Sequence, residues 1–164
     1  MPRLKPLAAL GLLALFGYQY SFAEDRQLAT ELGPLNVHTV AEGLANPWAV
    51  AFLPDGQGYL VSERPGALRR VSAEGEVSQP LRGVPKVFAV GQGGLLDVVL
   101  SPDFAKDRLV YLSYAEEGDG AAGTTVGRGK LSADASALEG FEVIFRQQPK
   151  LSSGAHFGLS LIHI

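Results

Sequence analysis

The chain has 164 residues, 14 basic and 17 acidic side chains, a net charge of −3 and no cysteine. Lack of cysteine excludes a disulfide framework, cysteine-ligated zinc, an iron–sulfur cluster, a thiol nucleophile and an acylated lipoprotein cysteine. With no basic block, the sequence has no electrostatic footprint for nucleic acid, and none is expected as a partner. Apolar residues at 46% and charged residues at 19% fit a globular domain rather than a disordered chain. The 20 glycines and 10 prolines put turns at short intervals, which favours short strands over long helices.

Residues 1–23 carry only two charges, Arg3 and Lys5, followed by an apolar run over 7–16 and the small-x-small stretch Ser21-Phe22-Ala23. A basic start, a short apolar middle and a small-residue exit form the pattern of a cleavable secretory signal peptide. The apolar run covers about half of the roughly 20 residues needed to cross a bilayer, so no stable membrane anchor is expected. Cleavage after Ala23 and a periplasmic or secreted location are expected.

From residue 24 onward, β-branched and apolar runs alternate with turn signals. Strands are predicted over 35–40, 48–53, 59–63, 67–71, 95–100, 109–114, 124–131 and 142–145. Pro54-Asp55-Gly56, Pro65-Gly66, Glu74-Gly75 and Gly118-Asp119-Gly120 mark turns among them. No amphipathic stretch of helical length interrupts the pattern.

An internal repeat narrows the fold class. WAVAFLPDGQGYLVSERPGALRRVS at 48–72 matches LLDVVLSPDFAKDRLVYLSYAEEGD at 95–119. Each has an apolar strand, a Pro-Asp turn and a second apolar strand, and a period of this length is that of propeller blades. Proline stops the first strand, and the aspartate can bond its own backbone in the turn. The expected fold is all-β, with blade one built from strands near 48–53, 58–63, 67–72 and 77–83. Blade two takes 95–100, 108–115, 124–131 and 141–146, and a third blade starts near His156 and Phe157. Propellers close with about four to eight blades, so just over two are expected to be part of a longer protein. The tail Leu-Ser-Leu-Ile-His-Ile over 159–164 can be encoded by a transposase library-end sequence, CTG TCT CTT ATA CAC ATC. Residues 159–164 are therefore expected to be translated adapter, with the native chain interrupted after Gly158, and His163 is assigned no role.

Few side chains could carry chemistry. An imidazole can accept a proton at neutral pH, which makes His156 a candidate general base. A lone histidine is more often a structural or surface residue, and His38, in an alternating segment, is read as surface. Gln92 lies in the turn Gly91-Gln92-Gly93-Gly94. Its amide can both donate and accept, and glycines permit close backbone approach, yet a glycine-rich turn between blades needs no ligand. Neither dinucleotide nor P-loop glycine spacing is present. Asp97 is read as a blade-face residue, Asp55 and Asp103 as turn-formers. Glu116, Glu117 and Asp119 are read as a solvated acidic tip without helix–loop–helix calcium spacing. Trp48 is expected to pack between blades. No metal ligand is assigned.

The segments GLANPWAVAFLPDGQGYLVSERPGALRRV at 43–71, GQGGLLDVVLSPDF at 91–104 and GAHFG at 154–158 together resemble the pyrroloquinoline-quinone-dependent aldose sugar dehydrogenases, the soluble glucose or sorbosone dehydrogenase family. The resemblance covers about residues 40–158. It implies a six-bladed β-propeller with the quinone in an axial funnel, an aldose substrate oxidised at its anomeric carbon to a lactone, and an external electron acceptor. It implies that Gln92 contacts the quinone and that His156 is the catalytic base. The Gly-Gly-Arg-Leu-like strand that follows this histidine in the family is replaced here by Leu159-Ser160. The arginine and asparagine that grip the quinone, and the calcium-binding loops, are expected in later blades. Two other readings remain: a calcium-dependent propeller lactonase or esterase, and a non-catalytic propeller binding module.

Overall fold

A computed structural model describes residues 26–158, 160 and 161. The expected signal peptide at 1–23, and residues 159 and 162–164 of the tail, lie outside the described residues. The chain divides into two compact units, Met1–Thr39 and Val40–Ile164. In the described part of the first unit, β1 (Arg26–Thr30) and β2 (Gly33–Val37) form an antiparallel hairpin. The sequence reading placed a strand over 35–40 and none at 26–30. The hairpin instead closes through Gly33, whose φ of 119° suits glycine, and the second strand ends before His38.

The second unit contains two antiparallel meanders. The first has the order β3 (Pro47–Phe52), β4 (Tyr59–Glu63), β5 (Ala67–Val71). The second has the order β6 (Leu95–Leu100), β7 (Leu109–Gly118), β8 (Ala121–Leu131), β9 (Leu138–Arg146). Among the described residues, helix is confined to a single turn at Pro54–Gly56 and to α1 (Phe104–Asp107). Buried leucines from both sheets, Leu60 and Leu68 of the first with Leu95 and Leu112 of the second, share one core, so the sheets pack face to face as propeller blades do.

The repeat extends to individual hydrogen bonds. Leu53 N–H to Gly58 O closes the first Pro-Asp loop at 2.9 Å, and Ser101 N–H to Leu109 O closes the second at 2.9 Å. Each inner strand has a register shift near its start, between Pro47 and Ala49 and between Leu95 and Val98. In each, a serine of the next strand captures the displaced N–H: Ala49 to Ser62 Oγ and Asp97 to Ser113 Oγ, both at 3.1 Å. A bulge leaves one ladder donor unpaired, and a buried hydroxyl is the smallest group that can satisfy it. Ser62 then donates to Leu96 O of the next blade at 2.5 Å.

Four expectations need correction. The fourth strand of blade one, expected at 77–83, is an irregular strip fastened to β5 by Ser78 N–H to Arg70 O and Leu81 N–H to Leu68 O, each 2.8 Å. Pro80, which has no N–H, interrupts the ladder between them. The Pro-Asp aspartates form no side-chain cap to their own turns. In the second loop that work falls to Asp107, which accepts from Ser101 Oγ at 2.6 Å and Leu109 N–H at 2.9 Å. Glu116 is no solvated tip: β7 carries it into the ladder, where Arg146 Nε and Lys150 Nζ each reach its Oε2 at 2.9 Å. Trp48 is 42% exposed rather than packed between blades, because it stands at the bulge of the edge strand β3.

Candidate functional site

After β9 the chain runs as a strap over 147–158 across the end of the second blade. Gln147 starts it by pairing twice with Thr124: its N–H donates to Thr124 O at 2.9 Å, and its Oε1 accepts Thr124 N–H at 3.0 Å. Leu151 exchanges both backbone bonds with Ala122 at 2.9 Å, and Lys150 adds the ion pair to Glu116. Phe157 is 6% exposed and enters a small core with Leu96, Ala115 and Ala122. Burying such a ring contributes about 1.5–3 kcal/mol and adds to the hydrogen bonds that seat the strap.

Gly91-Gln92-Gly93-Gly94 meets this strap. Gln92 N–H donates to Gly154 O at 2.8 Å. Gly91 has a φ of 59°, and a Cβ there would lie 2.5 Å from Gly154 O. Gly94, with a φ of 150°, would drive a Cβ into Arg64 O. Gly91 and Gly94 are therefore required for close approach of backbone to backbone, as the reading of a glycine-rich turn between blades expects. Arg64 supports the turn from beneath: its Nη1 donates to Gly91 O at 3.1 Å and Gly93 O at 3.2 Å, and its carbonyl accepts Leu95 N–H at 3.0 Å.

The two candidate residues, 64 positions apart, come together here. His156 N–H donates to Gln92 Oε1 at 3.3 Å. His156 has a φ of 67°, a left-handed conformation uncommon outside glycine, and its side chain is exposed. With Oε1 occupied by this N–H, the exposed Gln92 amide presents Nε2 as a donor. Asp97, one bulge further along β6, accepts Val98 N–H at 2.9 Å through Oδ1 and Leu161 N–H through Oδ2. His38 lies in the other unit. Among the described residues no group of three or more His, Cys, Asp or Glu side chains is placed to hold a metal ion. Sequence reasoning missed Arg64 and Thr124. Neither has a spacing that ties it to residues 27 and 34 positions away.

A family model described as Glucose / Sorbosone dehydrogenase matches residues 44–163. The chain belongs to this family. It is 55% identical over 129 residues to aldose sugar dehydrogenase YliI of Escherichia coli K12, covering 78% of this chain and 35% of that protein. Among solved structures it is similar to the apo-form of the soluble E. coli aldose sugar dehydrogenase, at 57% identity and a TM-score of 0.71, over 73% of this chain and 35% of that one. It is also similar to the PQQ-bound form of aldose sugar dehydrogenase from Streptomyces coelicolor, at 32% identity and a TM-score of 0.62, over 78% of this chain and 36% of that one. The chain thus spans about a third of the length of these relatives. Its two meanders are blades of a partial β-propeller.

Gln92 thus presents an exposed amide N–H₂, with the positive charge of Arg64 held beneath the same turn on Gly91 O and Gly93 O, a donor set suited to an acceptor ligand that carries carbonyl or carboxylate oxygens.

Proposed function

We propose that this chain forms the first blades of a six-bladed, quinone-dependent aldose sugar dehydrogenase that oxidises the anomeric carbon of an aldose to a lactone. The observation that carries the reading is the hydrogen-bonded pairing of Gln92 with His156 at one exposed site, in a member of the glucose/sorbosone dehydrogenase family. Bound pyrroloquinoline quinone would supply a two-electron acceptor for the hydride of the anomeric carbon. Gln92, whose Oε1 is taken by His156 N–H, would hold the quinone through its amide N–H₂. His156 takes the proton of the anomeric hydroxyl, so that the C–O bond gains double-bond character as the C–H bond breaks. Turnover with a bound quinone would require an external electron acceptor. Calcium ligands belong to blades other than these two. A cleaved signal peptide at 1–23 would deliver the protein to the periplasm or outside the cell, without a stable membrane anchor.

The test is dye reduction by the full-length protein that carries this segment, reconstituted with quinone and calcium and given an aldose. His156→Ala is expected to lower turnover by about 10²–10⁴-fold, the usual contribution of a general base. Near-normal turnover in that variant removes His156 from the mechanism. No sugar-dependent reduction in the parent removes the reading itself.

A further inference from the structure

We propose that Thr124 is the positioning residue for His156, setting the place of the imidazole through the main chain two residues further on. The proposal rests on the reading of His156 as the base. Thr124 lies in β8 opposite Ala115, and its Oγ1 accepts Gly158 N–H at 2.8 Å. Its main chain meanwhile makes both bonds to Gln147 at the start of the strap, at 2.9 and 3.0 Å. One residue therefore anchors the strap at both ends, and the loop between its anchors contains His156. On the other side Gln92 holds the strap through Gly154 O and His156 N–H.

Phe157 enters the core between these two anchors. Its burial fixes how deep the strap sits. A ring in an apolar pocket is a poor determinant of rotation about the strand, because dispersion contacts have little direction. Rotation is set by directional bonds, and those that tie this part of the strap to the rest of the blade are Gln92 N–H to Gly154 O, His156 N–H to Gln92 Oε1 and Gly158 N–H to Thr124 Oγ1, whereas Ala155 N–H bonds only within the strap, to Ser153 Oγ. The left-handed φ of His156 needs such surroundings to persist. Removing the Thr124 acceptor leaves Gly158 N–H without its partner and frees one end of the two-point hold. An imidazole displaced by about 1 Å loses up to about 10²-fold in rate, because proton transfer depends on alignment.

The experiment compares Thr124→Val and Thr124→Ser in the quinone-loaded full-length protein. Valine keeps the shape and suits a strand but cannot accept a hydrogen bond, and serine keeps the acceptor. The expected result for Thr124→Val is a fall in kcat of about 10–10²-fold, quinone affinity within about twofold of the parent, a displaced acid limb of the pH–rate profile, and faster hydrogen exchange at the Gly158 amide. Thr124→Ser should restore kcat, profile and exchange protection. Parental kcat and pH profile in Thr124→Val overturn the proposal, as does an equal loss in both variants. His156→Ala, measured alongside, separates the two claims. If it retains turnover, the reading of His156 falls and the proposal with it. If it loses turnover while Thr124→Val does not, only the role of Thr124 falls.

Discussion

Gln92 holds His156 with one end of its amide and leaves the other end outward. Its Oε1 is occupied by His156 N–H, so the orientation of the group is set before any ligand arrives. Gln92→Ala removes the outward donor and the inward acceptor together. Weakened quinone retention, read by equilibrium titration of the full-length protein, is expected to exceed the effect on folding, and unchanged affinity would leave the turn a purely structural one. Glu63 shows the contrasting case of a charge committed to the fold. It is 2% exposed and accepts Ala45 N–H at 2.6 Å and Arg69 Nε at 2.9 Å. Glu63→Ala strands the guanidinium and an amide next to the core, and a loss of about 3 kcal/mol is expected, discounted for the partial exposure of Arg69. Urea unfolding of the full-length protein checks it.

Among the elements, the long β7–β8 hairpin matters most for the site because it carries both Thr124 and Glu116. Burial pushes the Glu116 carboxyl up, but hydrogen bonds and charge from Arg146 and Lys150 outweigh it and hold its pKa below the usual glutamate value of 4.5. A depressed folded pKa adds stability that is fully present above the unfolded value and is lost as pH falls through the folded one. Glu116→Gln should therefore be less stable than the parent at neutral pH, with the gap closing as pH drops below about 4.5. Thermal melts across that range test the sign: a gap that widens in acid would show that the ion pairs with Arg146 and Lys150 do not hold the strap. The other element that shapes the site is the Gly91–Gly94 turn. It is pinned by Arg64 below and Gly154 above, so its rigidity comes from two neighbours rather than from its own residues.

On the scale of the whole molecule, the blades are unequal in what covers them. β4 is buried along nearly its full length, whereas on β3 Val50 is 52% and Phe52 71% exposed, and on β9 Ile144 and Phe145 are 50% and 54% exposed. Both strands are sheet edges, and apolar edges recruit other chains. The chain as given is expected to self-associate and to show no sugar-dependent dye reduction. Light scattering and thermal unfolding of residues 24–158 with quinone and calcium provide the check. A soluble monomer with a cooperative melt and turnover would show that two blades suffice.

Much of this architecture was legible in the sequence. The Pro-Asp repeat located the two inner hairpins, because Pro54 and Pro102 each follow the end of a strand and strand periodicity is a local property. The four strands of the second blade follow the same signal. The family resemblance carried by the GQGG and GAHFG segments, rather than the residues read alone, pointed to Gln92 and His156. What only the tertiary structure decided is how those residues are held. The strip at 77–83 takes its path from Pro80 and from contacts with the next blade, such as Arg82 N–H to Ser136 O at 3.0 Å. Glu116 became an ion-pair centre because two cations arrive from 30 and 34 residues away. Arg64 and Thr124 gained their places through bonds that span 27 to 34 residues. Turn chemistry and alternation act between near neighbours and are written in consecutive residues. Hydrogen bonds between blades depend on where the sheets come to rest, and packing of the shared core sets that position.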